Sequence, residues 1–220
     1  MITWVLLGLL LLISAVSLAD WLKRRKSGET WLSPPPGDTW EKLDARRLET
    51  LEDFVGFDAL KLVANPVVGL KVTSVWGHDA SRQYFFYPKR GMASNPYSDC
   101  PVFVAFGLPI VDGCAFVTRN FFVEYFHYDE LVPALTKLET GANKLYTQMY
   151  SNASSKAGLQ KLLNEFDYSK YHCVLRYEDV FVVVGNDQKR PEEIQRFFDD
   201  VARYGQTLGL TNDDLLGALL

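Results

Sequence analysis

Few of the residues from which active sites are usually assembled occur in this chain. Its 220 residues include three histidines and three cysteines. Cys100, Cys114 and Cys173 are widely spaced and form no Cys-x-x-Cys pair, which argues against a zinc ribbon or a disulfide framework and fits a reducing compartment. His172 stands directly beside Cys173 in an expected strand, where neighbours point to opposite faces, so the two cannot act as a dyad. Cys100 in an irregular loop and His78 in a turn form a combination that could meet in space, though a structural cysteine and a surface histidine explain both equally well. The third histidine is His127. Phosphate-loop spacing is absent too, and Gly185-Asn186-Asp187 reads as a turn. The acid pairs Asp129-Glu130, Asp199-Asp200 and Asp213-Asp214 do not converge on one ion from adjacent helical positions. No catalytic, cofactor-binding or metal-binding residue is therefore expected, and no cofactor. An enzyme with an unrecognised site stays as a third reading.

Positive charge is scarce beyond residue 26. Of the 23 basic and 27 acidic residues, four cations (Lys23, Arg24, Arg25 and Lys26) and Asp20 lie before that point, leaving 19 against 26 and a net charge of about −7. Without a basic stripe, nucleic acid is not an expected partner.

The first 26 residues are correspondingly distinctive. Ile2 to Ala19 is an unbroken apolar run of about 27 Å as a helix, close to the roughly 30 Å of a bilayer core. Trp4 and Trp21 flank it at headgroup level, and Lys23, Arg24, Arg25 and Lys26 follow as a basic collar. The expectation is a transmembrane anchor contacting the lipid bilayer through residues 2–19. It places the N-terminus outside and the remaining chain as a single-pass protein's cytoplasmic domain. Ser17-Leu18-Ala19 would suit signal cleavage, but a signal peptide carries its charge ahead of the apolar core. An outward-facing domain is the alternative topology, and would allow a Cys100–Cys114 bridge and glycosylation at Asn152.

Residues 27–39, with Pro34, Pro35 and Pro36, read as a stiff proline-rich tether. Trp31 and Trp40 bracket it. Residues 40–220 read as one α+β domain, with a division into ~40–127 and ~128–220 as an alternative. A hydrophobic fraction of 48% with 14% aromatics is too apolar for a disordered tail.

Asp38 and Glu41 resemble a capping box, and Trp40, Leu43, Leu48, Leu51, Val55 and Leu62 recur at near-helical spacing, predicting a helix or helix pair from about Trp40 to Val63. Strands in antiparallel hairpins are expected at Val67–Trp76, Arg82–Tyr87, Val102–Phe106 and Ala115–Val123. Asp129–Thr136 reads as a short helix or bent strand and Lys144–Tyr150 as a strand. Ser154–Phe166 is an expected helix with Leu159, Leu162, Leu163 and Phe166 on one face. Tyr171–Tyr177 and Val180–Val184 are two more strands. Pro191 to about Leu208 is an expected helix, with Pro at its first position, acids in its first turn and Gly209 after its end. Its inner face would be Ile194, Phe197, Phe198, Val201, Tyr204 and Leu208. Asn212 caps a last short helix. This order implies an α+β fold, an N-terminal transmembrane helix followed by a largely antiparallel sheet with flanking helices. The aromatics Tyr84–Tyr87 and Phe121, Phe122, Tyr125 and Phe126 exceed what one inner sheet face needs.

Gly141, Leu145, Tyr150, Ser151, Asn152, the Leu162-Leu163 pair and the helix after Pro191 follow one another in an order that resembles a group of prokaryotic single-pass membrane proteins of unknown function. The likeness spans residues ~139–209. Leu145-Tyr146 stands where that group often has an aromatic-acidic pair. The resemblance brings no catalytic residue and implies a membrane-tethered accessory domain.

Three functions follow as expectations. The first is a non-enzymatic interaction domain at the membrane, such as an accessory subunit or assembly factor with a protein partner, using the apolar C-terminal residues Leu215, Leu216, Leu219 and Leu220. The second is a module that binds lipid or a small apolar ligand among the surplus aromatics. The third is the unrecognised enzyme.

Overall fold

A computed structural model describes residues 32–44, 72–78, 81–88, 100–110, 114–119, 136–138, 147–151, 156–167, 169–186 and 188–218. Leu32–Leu220 forms one compact unit. No helix among the described residues is long and apolar enough to cross a membrane; the expected anchor, with Trp4, Trp21 and Lys23–Lys26, lies outside them, as do His127, Asn152, Phe121–Phe126, Leu219 and Leu220.

Nine strands among the described residues form one sheet: β1 (Trp40–Leu43), β2 (Val72–His78), β3 (Gln83–Pro88), β4 (Val102–Ala105), β5 (Cys114–Arg119), β6 (Thr136–Leu138), β7 (Thr147–Ser151), β8 (Tyr171–Tyr177) and β9 (Val180–Gly185). Helix α1 (Lys156–Glu165) precedes β8, and α2 (Pro191–Thr207) follows β9, with a 3-10 turn at Asp213–Ala218. The spatial order is β1-β2-β3-β4-β9-β8-β5-β7-β6 and every described pairing is antiparallel. The fold is α+β, as the sequence predicts.

The expected hairpin between β4 and β5 does not form. The β8–β9 hairpin enters between them, Val102 pairing with Val184 and Phe116 with Leu175. Its two-residue turn places Glu178 at φ 48°, the left-handed geometry that tight hairpins need. Burial explains the insertion. Every residue of β4 and β9 is buried, and a strand apolar on both faces is most stable at the middle of a sheet, where both faces and both edges are covered. The same fact accounts for the surplus aromatics of β3: Phe85 and Tyr87 face α2, while Phe86 is buried on the opposite face. A division near residue 127 has no counterpart in the sheet, since β8 and β9 lie between β4 and β5.

Helix α2 starts and stops where its sequence predicts. Pro191 occupies the first turn, which needs no N–H donor, with Glu192 and Glu193 beside it, and Gly209 exits at φ +84°. Ile194, Phe197, Phe198, Val201 and Tyr204 are buried, and Leu208 packs partly against the same core. Phe198 lies 5.1 Å from Phe85 and 5.9 Å from Phe103 between ring centroids, and Phe197 stacks on Tyr171 at 6.1 Å. Such pairs add about 0.5–1.5 kcal/mol each beyond the area they bury. Leu162 and Phe166, at α1 and just beyond it, join this core.

Two expectations change at the start of the domain. Trp40–Leu43 is a strand, Trp40 opposite His78 and Leu43 opposite Val75; residues 45–63 of the expected helix lie outside the described residues. Pairing on β2 overrides the local helical spacing, and Trp40 is held edge-on to His78 at 5.4 Å and to Phe198 at 5.7 Å. The proline segment, expected to be a free stalk to residue 39, is fastened to the domain from Leu32 onward. Ser33 donates from both its backbone N–H (3.3 Å) and its Oγ (2.6 Å) to the Lys189 carbonyl, and its own carbonyl accepts from the buried Tyr87 hydroxyl at 2.9 Å. Ser33 and Pro35 are buried, and Leu32 packs on the core.

Candidate functional site

Beside this fastening, the β8–β9 sheet end and α2 enclose an open cleft of about 420 Å³. One wall is the entry to β8, Ser169 to Tyr171. The second is the exit of β9, where the Asn186 backbone N–H donates to the Lys170 carbonyl (2.8 Å) and its Nδ2 to the Ser169 carbonyl (3.0 Å). The third is the outward stripe of α2 from Arg190 to Asp200. Gly185 is needed behind these walls: a Cβ there would lie 2.6 Å from Pro101 Cγ and 3.1 Å from Phe197 Cδ2.

The wall side chains are held by one another. Glu193 accepts from the backbone N–H groups of Lys189 and Arg190, both at 3.1 Å, and from Arg190 Nε at 2.9 Å. The Arg190 guanidinium, followed by those two N–H groups, lowers the Glu193 carboxyl to about 2. Tyr171 donates to Asp200 Oδ2 at 2.5 Å, and Arg203 donates to Asp200 Oδ1 at 2.5 Å while lying 4.9 Å from the Tyr204 ring centroid. Burial first, then the Asp200 carboxylate, pushes the Tyr171 hydroxyl well above its ordinary range, so it remains a donor throughout neutral pH. Lys170 Nζ is 3.3 Å from Asp167. Across the wall, three cations (Lys170, Arg190, Arg196) face three carboxylates (Glu193, Asp199, Asp200), and the cleft has no net formal charge.

The sequence-predicted nucleophile and base do not meet. Cys100 is buried before β4, beyond the Phe86–Val102 pair, whereas His78 ends β2 at the opposite, Gln83–Ala105 end. Five residues of strand, about 16 Å, separate those levels. Cys173 is fully enclosed, and burial pushes its thiol up to about 12. Among the described residues Cys173 is a free thiol and no group of three metal-ligating side chains occurs. Of the acid pairs, Asp214 accepts from Thr211 N and Oγ1 at 2.7 Å, as a turn cap. Asp129-Glu130 lies outside the described residues.

Leu215, expected at an interaction surface, is in the core. It is 1% exposed and packs on Gly205, where a Cβ would approach its Cδ1 to 2.3 Å. The Leu216 side chain is outside what the structure describes. A different apolar residue is presented to solvent: Ile110, 81% exposed, follows Pro109, whose carbonyl accepts from Arg176. The buried Arg176 guanidinium also donates to the carbonyls of Glu178 (2.8 Å) and Val180 (3.0 Å).

Sequence reasoning missed the cleft because its parts come from three separate segments. Asn186 read as a turn residue and Asp199-Asp200 as a solvated pair. The only local signal was the polar outer stripe of α2, which any surface helix has.

No protein-family model and no curated protein matches this chain. Among solved structures, the crystal structure of the mycobacterial trehalose monomycolate transport factor A is similar, with a TM-score of 0.41 and 10% identity over 70% of this chain and 78% of that one. That degree of overlap assigns neither activity nor ligand.

Proposed function

We propose that this chain is a membrane-tethered, non-enzymatic accessory domain that works at the bilayer surface by contacting lipid headgroups. Residues 2–19 are the anchor, Lys23–Lys26 the collar, and the acidic domain lies on the collar's, cytoplasmic, side. The fastening of Ser33 to Lys189 and Tyr87 carries the reading. It leaves residues 27–31 as the linker, which with its flanking bonds spans at most about 20 Å. So few residues between the collar and the fastened segment support a role close to the bilayer surface. The described core is built on the domain's own aromatics, and the described cleft is walled by polar and charged side chains. Both favour headgroup contact over enclosure of an acyl chain.

The test is reconstitution of the full chain in phosphatidylcholine vesicles containing a photoreactive headgroup lipid. Crosslinks in peptides spanning residues 169–200 are expected, and inserting 20 Gly/Ser residues between 27 and 31 should abolish them. Crosslinks confined to residues 1–26, with or without the spacer, would overturn the reading. Protease cleavage of the domain from outside intact spheroplasts would overturn the topology.

A protein partner is the second reading, favoured by Ile110, which the Arg176–Pro109 bond holds out into solvent. Loss of a stoichiometric partner from the detergent-purified Ile110→Asp variant would support it.

A further inference from the structure

We infer that the cleft between the β8–β9 end and α2 is a binding site for an uncharged, hydroxyl-rich group such as a sugar or polyol headgroup, an inference that rests on the headgroup reading above and makes it more specific. The charges on the wall select against ions. Lys170 is paired with Asp167, Arg190 with Glu193, and Asp200 with Arg203 and the Tyr171 hydroxyl. An incoming phosphate could reach Lys170 or Arg190 only by displacing carboxylates, and an incoming ammonium could reach Glu193 or Asp200 only by displacing guanidinium groups; what stays open is Arg196 and Asp199, about one turn apart on α2 and of opposite sign. An ion of either sign is then left with one open counter-charge and a like charge about one turn away, in a wall of zero net charge.

The valences left over are of both kinds and lie side by side. Asn186 spends its Nδ2 on the Ser169 carbonyl, leaving Oδ1 to accept. Asp199 receives a long 3.4 Å bond from Gln195 and has further acceptor capacity. Arg196 uses Nε on the Glu192 carbonyl, which leaves its terminal nitrogens to donate. A hydroxyl donates and accepts at one atom, so a row of hydroxyls matches such a row, whereas a purely accepting or donating ligand satisfies half of it. The pairs that remove Lys170, Arg190 and Asp200 from the contest also hold the walls in place, reducing the ordering cost of binding. Tyr171 is fully buried, so it offers no ring face for a sugar to stack on. Affinity then comes from hydrogen bonds in competition with water, and dissociation constants in the millimolar range, roughly 1–10 mM, are expected for free headgroups.

The experiment is saturation-transfer NMR on the full chain in phosphatidylcholine nanodiscs, with myo-inositol, glycerol and sucrose as neutral probes and methyl phosphate and choline as charged ones. The neutral probes should receive saturation, and the double substitution Asp199→Ala/Arg196→Ala should weaken their binding at least about fivefold. Lys161→Ala, on the exposed face of α1, should leave it unchanged. Both substituted residues are exposed, so a thermal melt matching the parent separates loss of binding from loss of fold. No transfer to any neutral probe up to about 50 mM, stronger transfer to methyl phosphate or choline, or full binding by the double variant would each overturn the inference. Free sugars report on the cleft whether or not the domain touches the bilayer, and the headgroup crosslinks report on membrane contact without the sugar. Failure of one can thus be told from failure of the other.

Discussion

Removing one oxygen from Tyr87 should release the proline strap while leaving the sheet intact. The Tyr87 ring is in the core, edge-on to Phe85 at 5.2 Å and to Trp76 at 6.2 Å, and Tyr87→Phe keeps these contacts. What it deletes is the donor to the Ser33 carbonyl at 2.9 Å. Burial holds the hydroxyl far above its ordinary pKa, so it keeps its proton and remains a donor throughout neutral and mildly alkaline pH. The net worth of a hydrogen bond is about 0.5–1.5 kcal/mol, and leaving a buried carbonyl without its donor raises the cost, so a loss of about 1–2 kcal/mol is expected. For a domain of this size that is a fall in Tm of about 3–6 °C. The more specific readout is local. Hydrogen exchange at Ser33, whose N–H donates to Lys189, and proteolysis within residues 32–39 should accelerate by about tenfold or more, while β8 and β9 amides keep their protection. An unchanged melt together with unchanged protease susceptibility of that segment would refute the fastening, and with it the short-linker argument.

Gly205→Ala should cost about 2–3 kcal/mol by chemical denaturation, the upper part of the overpacking range, because the new Cβ would meet Leu215 Cδ1 at 2.3 Å. Gly209→Ala, at φ +84° with open space around it, should cost only about 1 kcal/mol, from backbone strain alone. An equal cost at both positions would refute the packing of Leu215. Because Glu193 is lowered to about 2 from its ordinary 4.5, it binds protons less readily folded than unfolded. Its contribution is therefore complete above pH ~4.5 and lost as pH falls from there towards ~2. Glu193→Gln should flatten that part of the acid-stability profile, and parallel profiles for the two proteins would count against the cap. Cys173, enclosed and pushed up to about 12, should resist iodoacetamide at pH 8 until denaturant is added; rapid labelling of the native protein would show that β8 opens.

The elements written in local chemistry were legible. Helix α2 carries its start in Pro191-Glu192-Glu193, its stop in Gly209 and its buried face in five aromatic and aliphatic residues at helical spacing. Strands β8 and β9 are apolar runs joined by a two-residue turn, and the structure places them within a residue of expectation. The start of the domain was not legible, because Trp40 and Leu43 fit a helical period as well as a strand, and pairing with His78 and Val75 decides between them. A triplet of prolines reads as a spacer from its own stiffness, and nothing local announces that Ser33 will find the Lys189 carbonyl 156 residues away. The cleft escaped for the same reason, its walls coming from Ser169 to Tyr171, from Asn186, Gln188 and Arg190, and from one stripe of α2.

Taken alone, the sequence determines that this chain carries an apolar run flanked by tryptophans and a basic collar, that its remaining residues form an acidic α+β domain, and that strand and helix alternate where period and turn chemistry dictate. Those properties depend on residues close in the chain, where spacing and propensity act directly. Tertiary structure alone decides that β8 and β9 occupy the middle of the sheet, that the strap lies fastened on the domain, that Leu215 is interior, and that six charged side chains cancel around one polar cleft. Each of these is a contact across long sequence separation, selected by the need to bury both faces of the central strands and to satisfy the carbonyls and carboxylates brought in with them.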